Sequence, residues 1–180
     1  KGYFKEEGVK IKFVKFVSGR RALEALIGGQ LDIAFMAEYP VAVASLRQQK
    51  NFSMISTLSR YLANRLISKG SIGFKTLKDL EGKKIGTTVG SNTEFFTERL
   101  IKRSGIKVEV LNVSPPDIVP ALARGDIDAG VMFPDFYPSA QKTLGADYRE
   151  FKSDAYVAQF VLSASTEMLT KRAAHVQSFL

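Results

Sequence analysis

The sequence predicts an α/β protein built from two similar units of strand and helix. A thirteen-residue pattern at 24–36 recurs without a gap at 120–132, with Ala, Leu, Gly, Asp and Met in the same places. Each copy has the pattern of a helix end, a glycine, an aspartate and an apolar strand. Glycine suits such a helix end because it adopts a left-handed conformation without steric penalty. A common helix-to-strand turn used twice by chance would explain one copy, but two matched copies favour related units.

The first seventy residues contain the strands and helices of the first unit. Residues 9–17 are rich in β-branched and aromatic side chains that partly alternate with lysine, which is typical of a strand. Residues 20–27 place their leucines on one helical face, and Pro40 suits the first turn of a helix at 40–48. The nearly continuous apolar run 31–36 predicts a strand covered on both faces, as in a parallel sheet. Further strands are predicted at 52–58 and 64–69.

The remaining residues repeat this alternation. Thr76 and Asp79 have the spacing of a capping box for a short helix. A strand at 84–89 is followed by a helix at 92–104, which Gly105 ends. The other predicted elements are strands at 108–113, 127–133 and 156–164 and helices at 115–124 and 167–180. Alternating strands and helices favour an α/β architecture with parallel strands.

We expect two lobes that are connected twice. Residues 1–70 with 156–180 form lobe 1, and residues 71–155 form lobe 2, because the strand at 156–164 returns the chain to the first unit. The first residues of the sequence have the pattern of a helix end. We therefore expect an N-terminal strand and C-terminal helices of lobe 1 to be missing from this chain. Clefts between lobes are common sites for small ligands.

Composition excludes several kinds of chemistry. The 180 residues include no cysteine and one histidine, which excludes disulfides, thiolate metal sites and cysteine nucleophiles and predicts no metal or cofactor. No apolar run approaches the roughly 20 residues that span a bilayer. Residues 1–90 carry 16 Lys+Arg against 7 Asp+Glu, whereas residues 91–180 carry 10 against 11. The lysines of the basic half are spread along the sequence, which favours a solvated surface over a nucleic-acid site.

The candidate ligand site begins in a polar turn between a strand and a helix. Helix N-termini present unpaired N–H groups and the positive end of the helix dipole, and both attract anions. The alternative is that Ser91 and Glu94 form a capping box that needs no ligand. The glycine patterns of phosphate-binding and dinucleotide-binding loops are absent. The candidate residues in this turn are Thr88, Gly90, Ser91, Asn92 and Thr93.

Three further turns follow predicted strands, where ligands bind in open α/β sheets. Two of them come after the repeated strands and therefore occupy equivalent places. Their candidate residues are Ser18, Gly19, Arg20, Glu38, Tyr39, Phe133 and Asp135. Tyr61 and Asn64 lie near the crossover, where they either line the cleft or belong to a hinge. We expect the histidine, His175, to be a surface residue, and Asp32 and Asp128 to stabilise turns in separate lobes.

Several of these motifs resemble one known family. They are Gly2–Gly8 before a strand, Ser18-Gly19, Ala25-Leu26 to Ala34, Pro40, Leu77–Gly86, Gly90-Ser91, Ala121-Leu122, Gly125–Ala129 and Phe133-Pro134. Together they resemble periplasmic solute-binding proteins of the sulfonate, nitrate and taurine type, the NMT1/THI5-like superfamily. The resemblance implies a type II periplasmic-binding fold, with a ligand cleft between two lobes joined by crossover strands. It implies a pocket at the four turns.

The resemblance also implies a function. It predicts a non-enzymatic, monomeric component that delivers a small polar organic molecule or oxyanion to an ABC transporter permease. It places the protein in the periplasm, or outside the cell on a membrane anchor, with a signal peptide missing from this chain. The alternative is the effector-binding domain of a LysR-type transcription regulator. Two kinds of enzyme share this fold: porphobilinogen deaminase needs a cofactor-bearing cysteine, and the pyrimidine-forming relatives carry a cysteine-rich motif and iron-binding histidines. These features are absent here.

Glu38 departs from the family pattern, in which many members carry a small or neutral residue. A carboxylate in the pocket would disfavour an anion and favour an amine or a hydrogen-bond donor. Alternatively, Glu38 pairs with Arg20 or Arg60 and leaves the pocket neutral. The sequence leaves both possibilities open.

Overall fold

A computed structural model describes residues 2–62 and 64–180. The chain divides into two compact units, one containing Lys1–Ser59 and Gln159–Leu180 and the other Arg60–Ala158. The predicted boundaries lay near 70 and 156. The difference at the first boundary arises because the strand at 65–69 pairs within the sheet of the second unit.

The secondary structure alternates along most of the chain. The α-helices of the described residues are α1 Tyr3–Glu6, α2 Gly19–Ile27, α3 Glu38–Leu46, α4 Asn92–Ser104, α5 Ile118–Arg124, α6 Tyr137–Leu144, α7 Thr166–Lys171 and α8 Ala173–Phe179. The strands are β1 Ile33–Ala37, β2 Phe52–Tyr61, β3 Arg65–Lys69, β4 Lys84–Thr87, β5 Glu109–Asn112, β6 Ala129–Val131, β7 Tyr148–Lys152 and β8 Ala158–Ser165. No helix in 2–62 or 64–180 is long and apolar enough to cross a membrane.

The first unit contains a three-stranded sheet in the order β1-β8-β2. β1 runs antiparallel to β8 and places Met36 opposite Val161. Met36 and Val161 share a core cluster with Leu23 and Leu26 of α2, so this helix covers one face of the sheet. The predicted parallel, doubly covered strand is wrong here, because Phe35 on the opposite face of β1 is 53% exposed.

Residues 9–17 do not form the predicted strand. They have no regular secondary structure, and Phe13 is 82% exposed. A strand needs a neighbour to bond its backbone groups, and the described part of the chain places none beside this segment. Residue propensity alone therefore did not decide the structure.

The second unit contains a mixed sheet in the order β5-β4-β6-β3-β7. β4 runs parallel to β5 and β6, which confirms the parallel prediction for these three strands. β3 runs antiparallel to β6 and β7, and neither β7 nor α6 was predicted. The predicted helix at 167–180 is interrupted at Arg172, which separates α7 from α8.

The repeated pattern has the same local structure in both copies. Gly29 and Gly125 have φ angles of 74° and 85°, which are left-handed values that favour glycine. The Gln30 amide donates to the Ala25 carbonyl at 2.9 Å, and the Asp126 amide donates to its counterpart, the Ala121 carbonyl, at 3.0 Å. These bonds close the ends of α2 and α5 before β1 and β6. The predicted helix, glycine stop and strand are confirmed in each unit.

Candidate functional site

Ser91 organises the polar turn between β4 and α4. It caps α4, and its Oγ accepts a hydrogen bond from the Thr93 amide at 3.2 Å. The same Oγ donates to the Thr88 carbonyl at 2.7 Å, while Thr87 Oγ1 donates to Thr93 Oγ1 at 3.0 Å. Ser91, Asn92 and Thr93 are 2%, 6% and 2% exposed, so these side chains mainly shape the turn from inside.

Hydrogen bonds to neighbouring residues also hold this turn in place. The Glu94 carboxylate accepts a hydrogen bond from the Gly90 amide at 2.7 Å, and Gly90 has a φ of 78°. Thr88 Oγ1 donates to the Val113 carbonyl at 3.0 Å, which joins the turn to the end of β5. Ser91 and Glu94 therefore both act in capping, although each bonds a different amide from the one a capping box uses. The first turn of α4 is therefore held by hydrogen bonds within the protein itself.

The turn before α2 has a simpler cap. Ser18 Oγ accepts a hydrogen bond from the Arg21 amide at 3.3 Å. Arg20 Nε donates to Glu24 at 2.8 Å, so this guanidinium forms an ion pair along its own helix. Partial burial acts to raise the pKa of Glu24, but hydrogen bonds and charges from Arg20 and Arg21 outweigh it and lower that pKa.

Gly19 brings the two turns of the first unit together. A Cβ at Gly19 would lie 2.7 Å from Met36 Cβ, which is closer than side-chain carbons normally approach. Met36 and Ala37 lead directly into Glu38 at the start of α3. Only glycine therefore lets the turn at 18–20 lie against the end of β1, where Glu38 and Tyr39 follow.

Glu38 has a partner that the sequence did not predict. Its carboxylate accepts a hydrogen bond from the Gln159 backbone amide at 2.8 Å, which ties the start of α3 to β8. Arg20, one of the two predicted partners, forms an ion pair with Glu24. Tyr39 is half-buried beside Glu38.

The fourth predicted turn follows β6 and begins a short 3₁₀ turn, Pro134–Phe136. Phe133 is half-buried and Asp135 is exposed. Because β6 and β4 are parallel neighbours, this turn and the Ser91 turn emerge at the same edge of the sheet. The structure thus places two predicted turns together within each unit.

Tyr61 and Asn64 occupy different surroundings. Tyr61 is half-buried against the core cluster that contains Leu66 and Phe96. Asn64 is 4% exposed, and its Nδ2 donates to the Tyr156 carbonyl at 3.2 Å. Asn64 therefore bonds inside the second unit instead of presenting its amide on the surface.

Sequence reasoning missed a polar cluster around Arg65. Arg65 Nη1 donates to Glu150 at 2.8 Å, and its guanidinium carbon lies 4.8 Å from the centre of the Tyr137 ring. Tyr148 also donates to Glu150, at 2.7 Å. No sequence pattern indicated this cluster, because Tyr148 and Glu150 belong to the unpredicted strand β7 and lie about 85 positions from Arg65.

Burial and hydrogen bonding shift the acidities in the Arg65 cluster. Burial, together with Glu150, raises the pKa of Tyr148 to about 12. Burial also raises the pKa of Tyr137, aided by the neighbouring Tyr61. For Glu150, burial acts to raise the pKa but is outweighed by Tyr148, Lys152 and Arg65, which lower it. In the described residues, no group of three or more His, Asp or Glu side chains is arranged to hold a metal ion.

Comparison with known proteins identifies the family. The family model described as NMT1/THI5 like matches residues 1–180. The chain belongs to the NMT1/THI5-like family.

Of two curated relatives of this NMT1/THI5-like chain, one is named as a binding protein and the other as an enzyme. The taurine-binding periplasmic protein of Escherichia coli K12 is 33% identical over 136 residues, covering 73% of this chain and 41% of the relative. The 4-amino-5-hydroxymethyl-2-methylpyrimidine phosphate synthase of Aspergillus parasiticus is 30% identical over 133 residues, covering 73% and 39%.

A solved structure shows the fold of the NMT1/THI5-like chain. The alkanesulfonate-binding protein SsuA from Xanthomonas axonopodis pv. citri, bound to MOPS, matches with a TM-score of 0.83 at 23% identity. The match covers 98% of this chain and 63% of that protein. The predicted periplasmic-binding fold with two α/β units is therefore confirmed. The chain spans about two fifths of the length of its curated relatives.

Proposed function

We propose that the protein carrying this chain is the extracytoplasmic solute-binding component of an ABC transporter. The observation that carries this proposal is the arrangement of polar turns at strand ends, two in each unit. Gly19 lets one pair meet beside β1, and the parallel strands β4 and β6 present the other pair at one sheet edge. The family and its taurine-binding relative support the same function.

The solute we propose is a small polar molecule with an oxyanion group, such as a sulfonate. The first turn of α4 suits the anion because a thirteen-residue helix directs its positive dipole end there. The hydrogen bonds that already hold this turn should lower the entropy lost on binding. We propose that the predicted residues of the four turns contribute to solute binding, with Glu38 next to a cationic or donor group of the solute.

The remaining parts of the proposal follow from transport. A solute-binding component works in the periplasm or outside the cell, acts as a monomer with a permease as partner, and performs no chemical reaction on its solute. Because one relative is named as a synthase, enzymatic activity has to be tested directly. The regulator alternative gains no support from the comparisons.

Binding to the full-length protein tests the proposal. Taurine, MOPS and nitrate are added separately, and thermal shift and calorimetry measure their binding; we expect saturable binding of a sulfonate. Asn92→Ala alters the first turn of α4 and should weaken that binding at least tenfold. Asn51→Ala changes an exposed asparagine of the first unit and serves as the control. A protein that folds but binds none of these solutes would refute the proposal.

A further inference from the structure

Asn64 joins the two segments by which the chain enters and leaves the second unit. It lies between β2 and β3, and its Nδ2 donates to the carbonyl of Tyr156, which lies between β7 and β8. The two residues are 92 positions apart. At 4% and 8% exposure, both are buried, so this bond forms out of contact with water.

The bond gives the buried Tyr156 carbonyl a hydrogen-bond donor. Tyr156 lies outside the strands, where ladder hydrogen bonds do not reach it, and a buried carbonyl without a partner is costly. An asparagine amide supplies such a donor. An aliphatic residue at position 64 would remove this hydrogen bond.

Tyr156 carries the connection onward to α4. Its ring meets the Phe95 ring edge-on, with centroids 5.1 Å apart and an angle of 84° between planes. Such aromatic pairs have a preferred geometry, so moving one ring moves the other. Phe95 follows Asn92, Thr93 and Glu94 in the first turns of α4.

We infer that Asn64 is a positioning residue for the solute site, acting through Tyr156 and Phe95 on the first turn of α4. This inference rests on the proposed role of that turn in binding. Asn64 itself need not touch the solute. Its amide fixes the backbone at Tyr156, the Tyr156 ring fixes Phe95, and Phe95 sets the position of the residues before it.

The first test replaces Asn64 with aspartate in the full-length protein. Aspartate keeps the shape but replaces the donor with an oxygen facing the Tyr156 carbonyl. Amide resonances and MOPS affinity are measured for Asn64→Asp and for Asn51→Asp, an exposed position that undergoes the same chemical change. We expect Asn64→Asp to shift the resonances of 91–95 and weaken MOPS binding at least about threefold, and Asn51→Asp to do neither. Resonance changes that stop at Tyr156 would overturn the inference.

The second test breaks the connection at another point. Phe95→Leu removes the ring contact but leaves the Asn64–Tyr156 bond in place. We expect the side-chain amide resonances of Asn64 to shift, and the double variant to bind MOPS no more weakly than the weaker single variant. Unchanged Asn64 resonances, or additive losses of affinity, would contradict the inference. If Asn64→Asp does not fold, the Asn64 resonances of the Phe95→Leu variant still test the inference. If the wild-type protein binds none of the solutes tested above, the binding proposal fails, whereas the resonance comparison still tests the connection.

Discussion

The Asp128 carboxylate accepts a hydrogen bond from the Lys84 amide at 2.9 Å, and the Asp128 amide donates to the Lys84 carbonyl at 2.9 Å. Residue 128 therefore bonds the first residue of β4 on both sides and aligns it with the start of β6. Its counterpart in the first copy, Asp32, instead forms an ion pair with Arg172. The repeated aspartate thus connects each repeated strand to a different neighbour.

Removing the Asp128 side chain should weaken the second unit. Asp128→Ala leaves the Lys84 amide without its charged acceptor, and we expect a loss of about 1–2 kcal/mol in the free energy of unfolding. Asp126→Ala is the matched control, because its carboxylate forms an exposed ion pair with Arg124 and should contribute less than about 0.5 kcal/mol. Urea unfolding of both variants measures the difference. Equal losses of unfolding free energy would show that the Lys84 contact contributes no more than the exposed ion pair.

Gly86 should tolerate no side chain unless its neighbour becomes smaller. A Cβ at Gly86 would lie 2.6 Å from Ile127 Cδ1, so we expect Gly86→Ala to destabilise the protein by about 1–3 kcal/mol. Ile127→Val removes that carbon and should recover part of the loss in the double variant. Thermal unfolding of the two single variants and the double variant measures the coupling, and purely additive effects would argue against this contact.

Tyr148 should make stability depend on pH in the alkaline range. Because its folded pKa of about 12 exceeds its ordinary value, the folded state holds the phenol proton more tightly than the unfolded state. This contribution is complete below pH 10 and is lost as the pH rises towards 12. We expect Tyr148→Phe to be less stable than wild type at pH 8, with the gap narrowing by pH 11. Chemical unfolding at several pH values measures the gap, and a constant gap would contradict the assignment.

Glu38 offers a test of charge at the proposed site. Glu38→Gln removes the charge but keeps an oxygen that can accept from the Gln159 amide, so stability should change little. Because the proposed site puts Glu38 next to a cationic or donor group of the solute, we expect the variant to bind taurine, which carries an ammonium group, more weakly. Glu167→Gln, in the same unit, changes an exposed carboxylate paired with Lys171 and controls for a change in overall charge. Unchanged affinity in calorimetry would place Glu38 outside the influence of the solute.

Local patterns in the sequence predicted local structure well. The helix at 92–104 matches α4, because Ser91 at one end and Gly105 at the other act within a few residues of the helix they limit. The same holds for α2 between Ser18 and Gly28. The polar turns of the candidate site were found for this reason, since helix caps and turns depend on neighbouring residues.

Pairing between distant segments could not be predicted in this way. Residues 9–17 have strand composition but no strand beside them in the described chain, and β7 became a strand because β3 lies alongside it. The Arg65 cluster depends on that pairing, which places Glu150 beside Arg65. The partner of Glu38 was missed because Gln159 binds through its backbone amide, which every residue except proline possesses.

The matched helix endings at Gly29 and Gly125 form in different surroundings. β1 has an antiparallel neighbour, whereas β6 lies between one parallel and one antiparallel neighbour, yet the preceding helices close with the same bonds. The ending is therefore determined by its own short stretch of sequence and not imposed by the surrounding sheet. The two units can thus differ in strand order and direction and still keep the same local transition from helix to strand.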